Sequence, residues 1–167
     1  QRKEEEKLTK SISEGVGKQL AAYTRLEQGY NSLGDNVQEK TKWIEENKGA
    51  FEELGLSINN VTEAEKLFTE QGDKFIESLY LRAEATALYN LAVEKFQDVA
   101  MKRRAFQQAE EELPVWALQT ESQKEHLEEL RQAYFDAKNE AAELIEESNI
   151  LQKKAQSILQ GTGLATP

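Results

Sequence analysis

The chain has 167 residues, enough for one domain of ordinary size, and 31% of them are charged while only 2 are proline. Such a composition is typical of long helices with much exposed surface. The formal net charge of −10 argues against binding to nucleic acid or to an anionic membrane, because both attract clustered Lys and Arg. The lack of cysteine excludes disulfides and thiolate metal sites. No apolar run approaches the ~20 residues needed to span a bilayer.

The chain begins Gln1-Arg2-Lys3-Glu4, without a methionine or a signal-like apolar stretch. A helical pattern starts at once, with no N-cap residue ahead of it. We therefore expect a segment of a longer protein.

Residues 3–47 carry an apolar stripe at alternating steps of three and four, which predicts one long helix. The stripe consists of Ile12, Val16, Gln19, Tyr23, Leu26, Tyr30, Leu33, Val37, Lys40 and Ile44. Gly34-Asp35-Asn36 is typical of a turn, but the stripe crosses it without a change of phase. We therefore expect the helix to continue, weakened by about 1 kcal/mol at Gly34, with a break at residues 34–36 as the alternative. Asn47-Lys48-Gly49 should end it.

Residues 48–72 differ, because large apolar residues occur there at irregular spacing between glycines and asparagines. This pattern predicts a small folded head with short helices. Thr62 and Glu65 fit a capping box, which predicts a helix from Glu63 to about Gln71. Gly72 should end that helix, and Asp73 should cap the next one.

Residues 73–113 are predicted to form a second long helix. Its stripe consists of Leu81, Ala85, Leu88, Ala92, Val99, Phe106, Ala109 and Leu113, and Lys95 and Lys102 interrupt it. Pro114 should stop or kink the helix, because proline lacks the backbone donor and clashes with the preceding turn.

Residues 121–160 are predicted to form a third long helix, capped by Thr120 or Ser122. Its stripe is the most regular one: Leu127, Leu130, Tyr134, Ala137, Ala141, Leu144, Ser148, Leu151, Ala155 and Ile158. Gly161 and Gly163 should end the helix and leave residues 161–167 as a loose tail.

Together these elements predict an all-α fold: an elongated antiparallel coiled-coil bundle of three long helices with a small helical head. A helix of about 40 residues is ~60 Å long. The short connection around Pro114 requires the second and third long helices to be antiparallel.

Candidate metal and catalytic residues are few. His126 is the only histidine, and position 123 is Gln where a di-iron motif needs Glu, so no metal site is predicted. The closely spaced carboxylates avoid the stripe and are expected on a solvated face; they are Glu140, Glu143, Glu146 and Glu147. We predict no catalytic, cofactor-binding or metal-binding residue, no cofactor, and no enzymatic activity.

The remaining polar candidates have structural interpretations. The one basic cluster, Lys102-Arg103-Arg104, stands two turns before Glu110-Glu111-Glu112, which argues against nucleic acid. Polar stripe residues either fix register and partner choice or cover the seam with their aliphatic stems; they are Gln19, Lys40, Lys95 and Lys102. Trp43 and Trp116 are expected to be packing anchors at the two bundle ends.

Four runs between residues 42 and 104 resemble a segment of phage tail tape-measure proteins encoded in prophages of Bacteroides-type gut bacteria. They are KWIEENK (42–48), FEELGLSINNVTEAE (51–65), FIESLYLRAEA (75–85) and LAVEK (91–95). Proteins of that family are very long helical chains that lie inside the tail tube, set its length and leave at injection.

The resemblance implies a structural coiled-coil segment that contributes to tail length and assembly. Its location would be the tail interior of the virion, and the host cytoplasm during assembly. Its partners would be tail-tube or tail-assembly proteins, without nucleic acid, and without a membrane for this segment. Apolar residues outside the stripes, Leu20, Tyr89 and Leu159, predict self-association. The alternative function is a scaffold or adaptor coiled coil of the host cell that binds one protein partner.

Overall fold

The computed structural model describes residues 2–113 and 120–166, and this part of the chain is all-α, without a β-strand. Its helices are α1 (Arg2–Asn31), α2 (Val37–Glu46), α3 (Lys48–Glu53), α4 (Val61–Lys66), α5 (Gly72–Glu112) and α6 (Glu121–Gly161). A π-helical segment, Leu67–Gln71, joins α4 to α5, so residues 61–112 form one uninterrupted helical run of 52 residues. The predicted long helices over residues 73–113 and 121–160 correspond to α5 and α6.

The chain divides into two compact units. The first contains the described residues up to Thr86 and those from Ile150 onward, and the second lies within Ala87–Asn149. Because α5 and α6 each continue past these limits, both helices contribute to both units.

The predicted continuous helix over residues 3–47 is wrong, and the alternative break is found instead. α1 ends at Asn31, and Gly34 adopts a φ of 61°, a left-handed conformation that glycine favours. Asn36 then caps α2, where its Oδ1 accepts a 3.0 Å hydrogen bond from the backbone N–H of Glu39. The unbroken phase concealed the break because α1 and α2 pack against the same core, so each keeps its own apolar face without a continuous backbone.

The head contains short helices, α3 and α4, but its predicted caps are wrong. Asn60, not Thr62, caps α4: its Oδ1 accepts from the Glu63 N–H at 2.8 Å, and its Nδ2 donates to Glu63 Oε1 at 3.1 Å. Gly72 does not end a helix, because its φ of −56° and ψ of −46° are helical and α5 continues from it. The π-helical segment joins α4 to α5 without a break, so Asp73 lies inside this helical run and does not cap a new helix.

Aromatic rings dominate the core of the first unit. Tyr23 lies 5.2 Å from Phe75 between ring centroids, Tyr30 lies 5.2 Å from Phe68, and Trp43 meets Phe51 edge-on at 5.9 Å. Aliphatic side chains complete this core; they are Leu26, Ile44, Leu54, Leu56, Ile58, Leu67, Leu79, Leu159 and Leu164. Trp43 is thus a packing residue, as expected.

The expected end of the third long helix at Gly161 is confirmed, but the expectation that the tail after it is loose is wrong for its described part. Leu164 is 2% exposed and belongs to the core of the first unit. Its carbonyl accepts a 2.7 Å hydrogen bond from the N–H of Ser57, and the N–H of Thr166 donates to the Gly55 carbonyl at 3.1 Å. The tail packs because an isolated β-bridge, Leu56 with Ala165, satisfies its backbone beside the α3–α4 connection.

The predicted stripes of α5 and α6 are confirmed as their less exposed faces, since every stripe position is buried or half-buried. Thr120 is the α6 cap, because its Oγ1 accepts a 3.1 Å hydrogen bond from the Gln123 N–H. No helix in the described part of the chain is long and apolar enough to cross a membrane.

Candidate interaction surface

The structure leaves the candidate polar residues of α6 on the surface. His126 and the glutamates Glu140, Glu143 and Glu146 are exposed, and so is Glu147. Among the described residues, no three His, Asp or Glu side chains are grouped so that they could hold a metal ion. Pro114 and Trp116 lie outside the described residues, and the predictions for them remain predictions.

The polar stripe residues are half-buried, and three of the four have polar partners for their heads. Lys95 Nζ lies 2.9 Å from Glu140 Oε1 and joins α5 to α6 in the second unit. Lys102 pairs with Asp98 one turn earlier. Lys40 Nζ lies 3.9 Å from Glu65 Oε2 and 4.7 Å from the centroid of the Tyr30 ring. These contacts favour the interpretation in which an aliphatic stem covers the seam while the charged head is solvated or paired.

Gln19 departs from this pattern. Its Oε1 is buried and has no hydrogen-bond partner, which is costly for a side-chain amide. It lines a small cavity of about 300 Å³ in the first unit, together with Arg82 and Gln152.

Arg82 also lines a second cavity of the first unit, with a volume of about 520 Å³. Its Nη2 donates a 3.1 Å hydrogen bond to the Leu54 carbonyl at the C-terminal end of α3. Burial lowers the pKa of the guanidinium. The polar lining consists of amides and a hydroxyl, supplied by Gln152, Gln156, Gln160 and Thr166. Arg82 therefore acts as a cationic cap of α3, and this lining offers no paired nucleophile and base.

A second apolar stripe lies on α5 in the second unit, and it is exposed. Tyr89, Val93, Phe96 and Ala100 follow one another at steps of four, three and four, and we call them the outer face. Tyr89 is 53% exposed, Val93 40% and Phe96 37%. Of these residues only Tyr89 was predicted to be exposed, because a single apolar stripe was expected on each helix.

The outer face lies roughly 100° around the helix from the buried residues Leu88, Ala92 and Val99, at 3.6 residues per turn. Residues 85–93 are all uncharged, so no charged side chain interrupts this part of α5. A helix that is apolar on two sides is typical of one that packs against two neighbours. α6 shares the second unit with α5, and the outer face remains exposed in the described part of the chain.

Comparisons with known proteins leave the family of this chain open. No family model, curated protein or solved structure matches it. Inference about its function therefore rests on its own residues, among them the exposed apolar residues of the outer face of α5.

Proposed function

We propose that this chain is a non-enzymatic structural segment of a phage tail tape-measure protein and contributes to tail length and assembly. The resemblance of residues 42–104 to such proteins supports this function. The single observation that supports it best is the helical run of 52 residues over positions 61–112, since that run contains most of the resembling residues.

The arrangement that suits this function is an elongated antiparallel coiled-coil bundle built from α1, α5 and α6. Stripes that are buried or half-buried along both α5 and α6 support it. Small-angle scattering is the measurement. A compact globule of this length would have a radius of gyration near ~15 Å, and the bundle requires a clearly larger value with a rod-like scattering profile.

The absence of enzymatic activity belongs to the same proposal. Its support is the use of the apolar residues along seams and the lining of the two Arg82 cavities. The hydroxyls in these linings, those of Ser11, Thr86 and Thr166, have no His, Asp, Glu or Lys beside them in the lining that could act as a base. Hydrolase activity that co-purifies with the chain would refute it, whether or not that activity survives Arg82→Met.

A host scaffold or adaptor coiled coil is the second candidate. The open outer face of α5 favours it, because an adaptor holds its partner through such a surface. Both functions require long helices and a docking surface, so the fold alone does not separate them.

The two functions differ in the gene neighbours and the co-purifying proteins that they require. If the chain belongs to a tape measure, its gene lies beside tail-tube and baseplate genes. The protein then lies in the tail interior of the virion, and its peptides co-purify with tail particles after prophage induction. Mass spectrometry of purified tails, with cell lysate from an uninduced culture as the control, is the test. Peptides found only in the host lysate, together with a gene neighbourhood free of tail genes, would favour the adaptor.

A further inference from the structure

We propose that the outer face of α5 binds the same face of a second copy of the chain, with the two α5 helices antiparallel. The two-fold axis of the pair lies midway between Val93 and Phe96. This inference deepens the structural role proposed above, by naming the surface and the partner through which the segment associates; the dimer itself does not depend on the tail context.

Side-chain size supports this register. Antiparallel pairing about that axis places Tyr89 of one copy opposite Ala100 of the other, and Val93 opposite Phe96. Each layer then combines a large side chain with a smaller one, which is the arrangement that fills a helix interface without voids. Asn90 and Gln97 are exposed and lie together along one edge of the outer face. In the antiparallel pair, the uncharged amide of Asn90 in one copy therefore lies near that of Gln97 in the other.

Charge favours the antiparallel pair over the parallel one. In a parallel pair, Tyr89 would stack on its own copy, and Arg103 and Arg104 would lie beside the same arginines of the partner. Like charges so close together disfavour the pair. The antiparallel register separates each of these arginines from its copy by about 25 Å or more, at 1.5 Å per residue. It places them opposite Ala85 and Thr86, one turn from Arg82, whose guanidinium donates to the Leu54 carbonyl.

The size of the outer face predicts a weak, reversible dimer. Four side chains on about three turns of helix cover less than the ~800 Å² per partner that a standard interface buries. The net charge of −10 per copy also opposes association. We therefore expect a dimer that forms as concentration rises and that tightens with added salt, which screens the repulsion.

Sedimentation equilibrium of the whole chain tests the surface. Val93→Glu should raise the dimer dissociation constant at least tenfold, because the carboxylate would be desolvated against Phe96 of the partner. Val37→Glu is the matched control: Val37 is 62% exposed on α2 of the first unit, and its substitution should leave the dimer unchanged. Circular dichroism checks that both variants keep their helix content. A wild-type chain that stays monomeric at high concentration and high salt, or a dimer that Val93→Glu leaves intact, overturns the proposal.

Cysteine cross-linking tests the register, and the chain has no cysteine of its own. In the antiparallel pair, residue 89 lies about 16 Å from its own copy but directly opposite residue 100. Mild oxidation should therefore cross-link a mixture of Tyr89→Cys and Ala100→Cys chains and leave either variant alone uncross-linked, since a disulfide needs Cα atoms within about 7 Å. Cross-linking of Tyr89→Cys alone would refute the antiparallel register.

Failure of the dimer and failure of the tail assignment are separate results. Loss of the dimer in these experiments leaves the gene neighbourhood and the tail mass spectrometry untouched. A dimer confirmed in a chain that is missing from tail particles would make the outer face the association surface of a host coiled coil.

Discussion

The hydroxyl of Tyr30 donates a 2.6 Å hydrogen bond to Oε2 of Glu65, and this bond joins the end of α1 to α4. Lys40 of α2 approaches the same carboxylate, with Nζ 3.9 Å from Oε2. Residues of three helices, α1, α2 and α4, therefore meet at one carboxylate. The contact holds α2 against the core after the break at Gly34.

Tyr30→Phe should lower the free energy of unfolding by about 1 kcal/mol, because it removes the hydrogen bond and little of the ring packing. Urea denaturation gives the value. The control is the same substitution in a Glu65→Ala background, where the bond is already absent and the cost should nearly vanish. An equal cost in both backgrounds would show that the hydrogen bond does not stabilise the fold.

Alkaline pH should destabilise the first unit through Tyr23. Burial, with smaller contributions from Glu27 and Asp73, raises the pKa of Tyr23 from 10.0 to about 12. The unfolded chain therefore loses this proton at lower pH than the folded chain does. The stability from neutral Tyr23 is complete below pH 10 and is lost as the pH rises from about 10 through about 12, at a cost on the order of 2 kcal/mol.

Urea denaturation at about pH 9 and about pH 11.5, on either side of the ordinary tyrosine pKa, measures this loss, and Tyr23→Phe is the control. The wild-type chain should lose more unfolding free energy between the two values than the variant does. Burial also raises the pKa of Tyr30, with the hydrogen bond to Glu65 adding to it, so part of the pH dependence should remain in Tyr23→Phe. Identical pH dependence in both chains would contradict the assignment to Tyr23.

Gly72→Ala should destabilise the chain even though Gly72 is helical. A Cβ at this position would lie 2.7 Å from the Tyr23 hydroxyl, closer than non-bonded carbon and oxygen atoms approach. At a helix position with no close neighbour, the same change raises the free energy of unfolding by about 1 kcal/mol. We therefore expect the sign to reverse in a Tyr23→Phe background, where the hydroxyl is gone and the nearest remaining neighbour is the Leu67 carbonyl at 3.4 Å. Thermal denaturation of the four chains is sufficient, and an equal loss from Gly72→Ala in both backgrounds would be the contrary result.

Two further glycines should respond to alanine with opposite signs. Gly34 has a φ of 61°, so Gly34→Ala should cost about 1 kcal/mol although its surroundings are empty. Gly49 lies in α3, where an added Cβ would meet no other side chain within 4 Å, so Gly49→Ala should stabilise by up to about 1 kcal/mol. Melting temperatures of the two variants give the comparison. A stabilising Gly34→Ala would mean that the turn is not needed in solution.

Regular helices were the predictable part of this fold. α5 and α6 could be predicted from their sustained apolar periodicity. The cap at Thr120 could be predicted because its hydrogen bond is made to Gln123, only three residues away. The break at Gly34 was missed because apolar phase reports which side chains pack, and it does not report whether the backbone between them is continuous. The packing of Leu164 was missed because its partners are distant in sequence and leave no local pattern. The outer face could not be predicted, because the sequence shows two apolar stripes on α5 but does not show which of them is covered in the fold.

The bridge between Leu56 and Ala165 joins positions more than one hundred residues apart. The core of the first unit therefore cannot be completed during synthesis until α6 and the residues after it have left the ribosome. At about 5–20 residues per second, the aromatic side chains of α1 and α3 therefore remain without a complete core for roughly 6–28 s. A chaperone, or early pairing among α1 to α4, has time to act in this interval, and chains truncated before Leu164 should be the aggregation-prone products of translation.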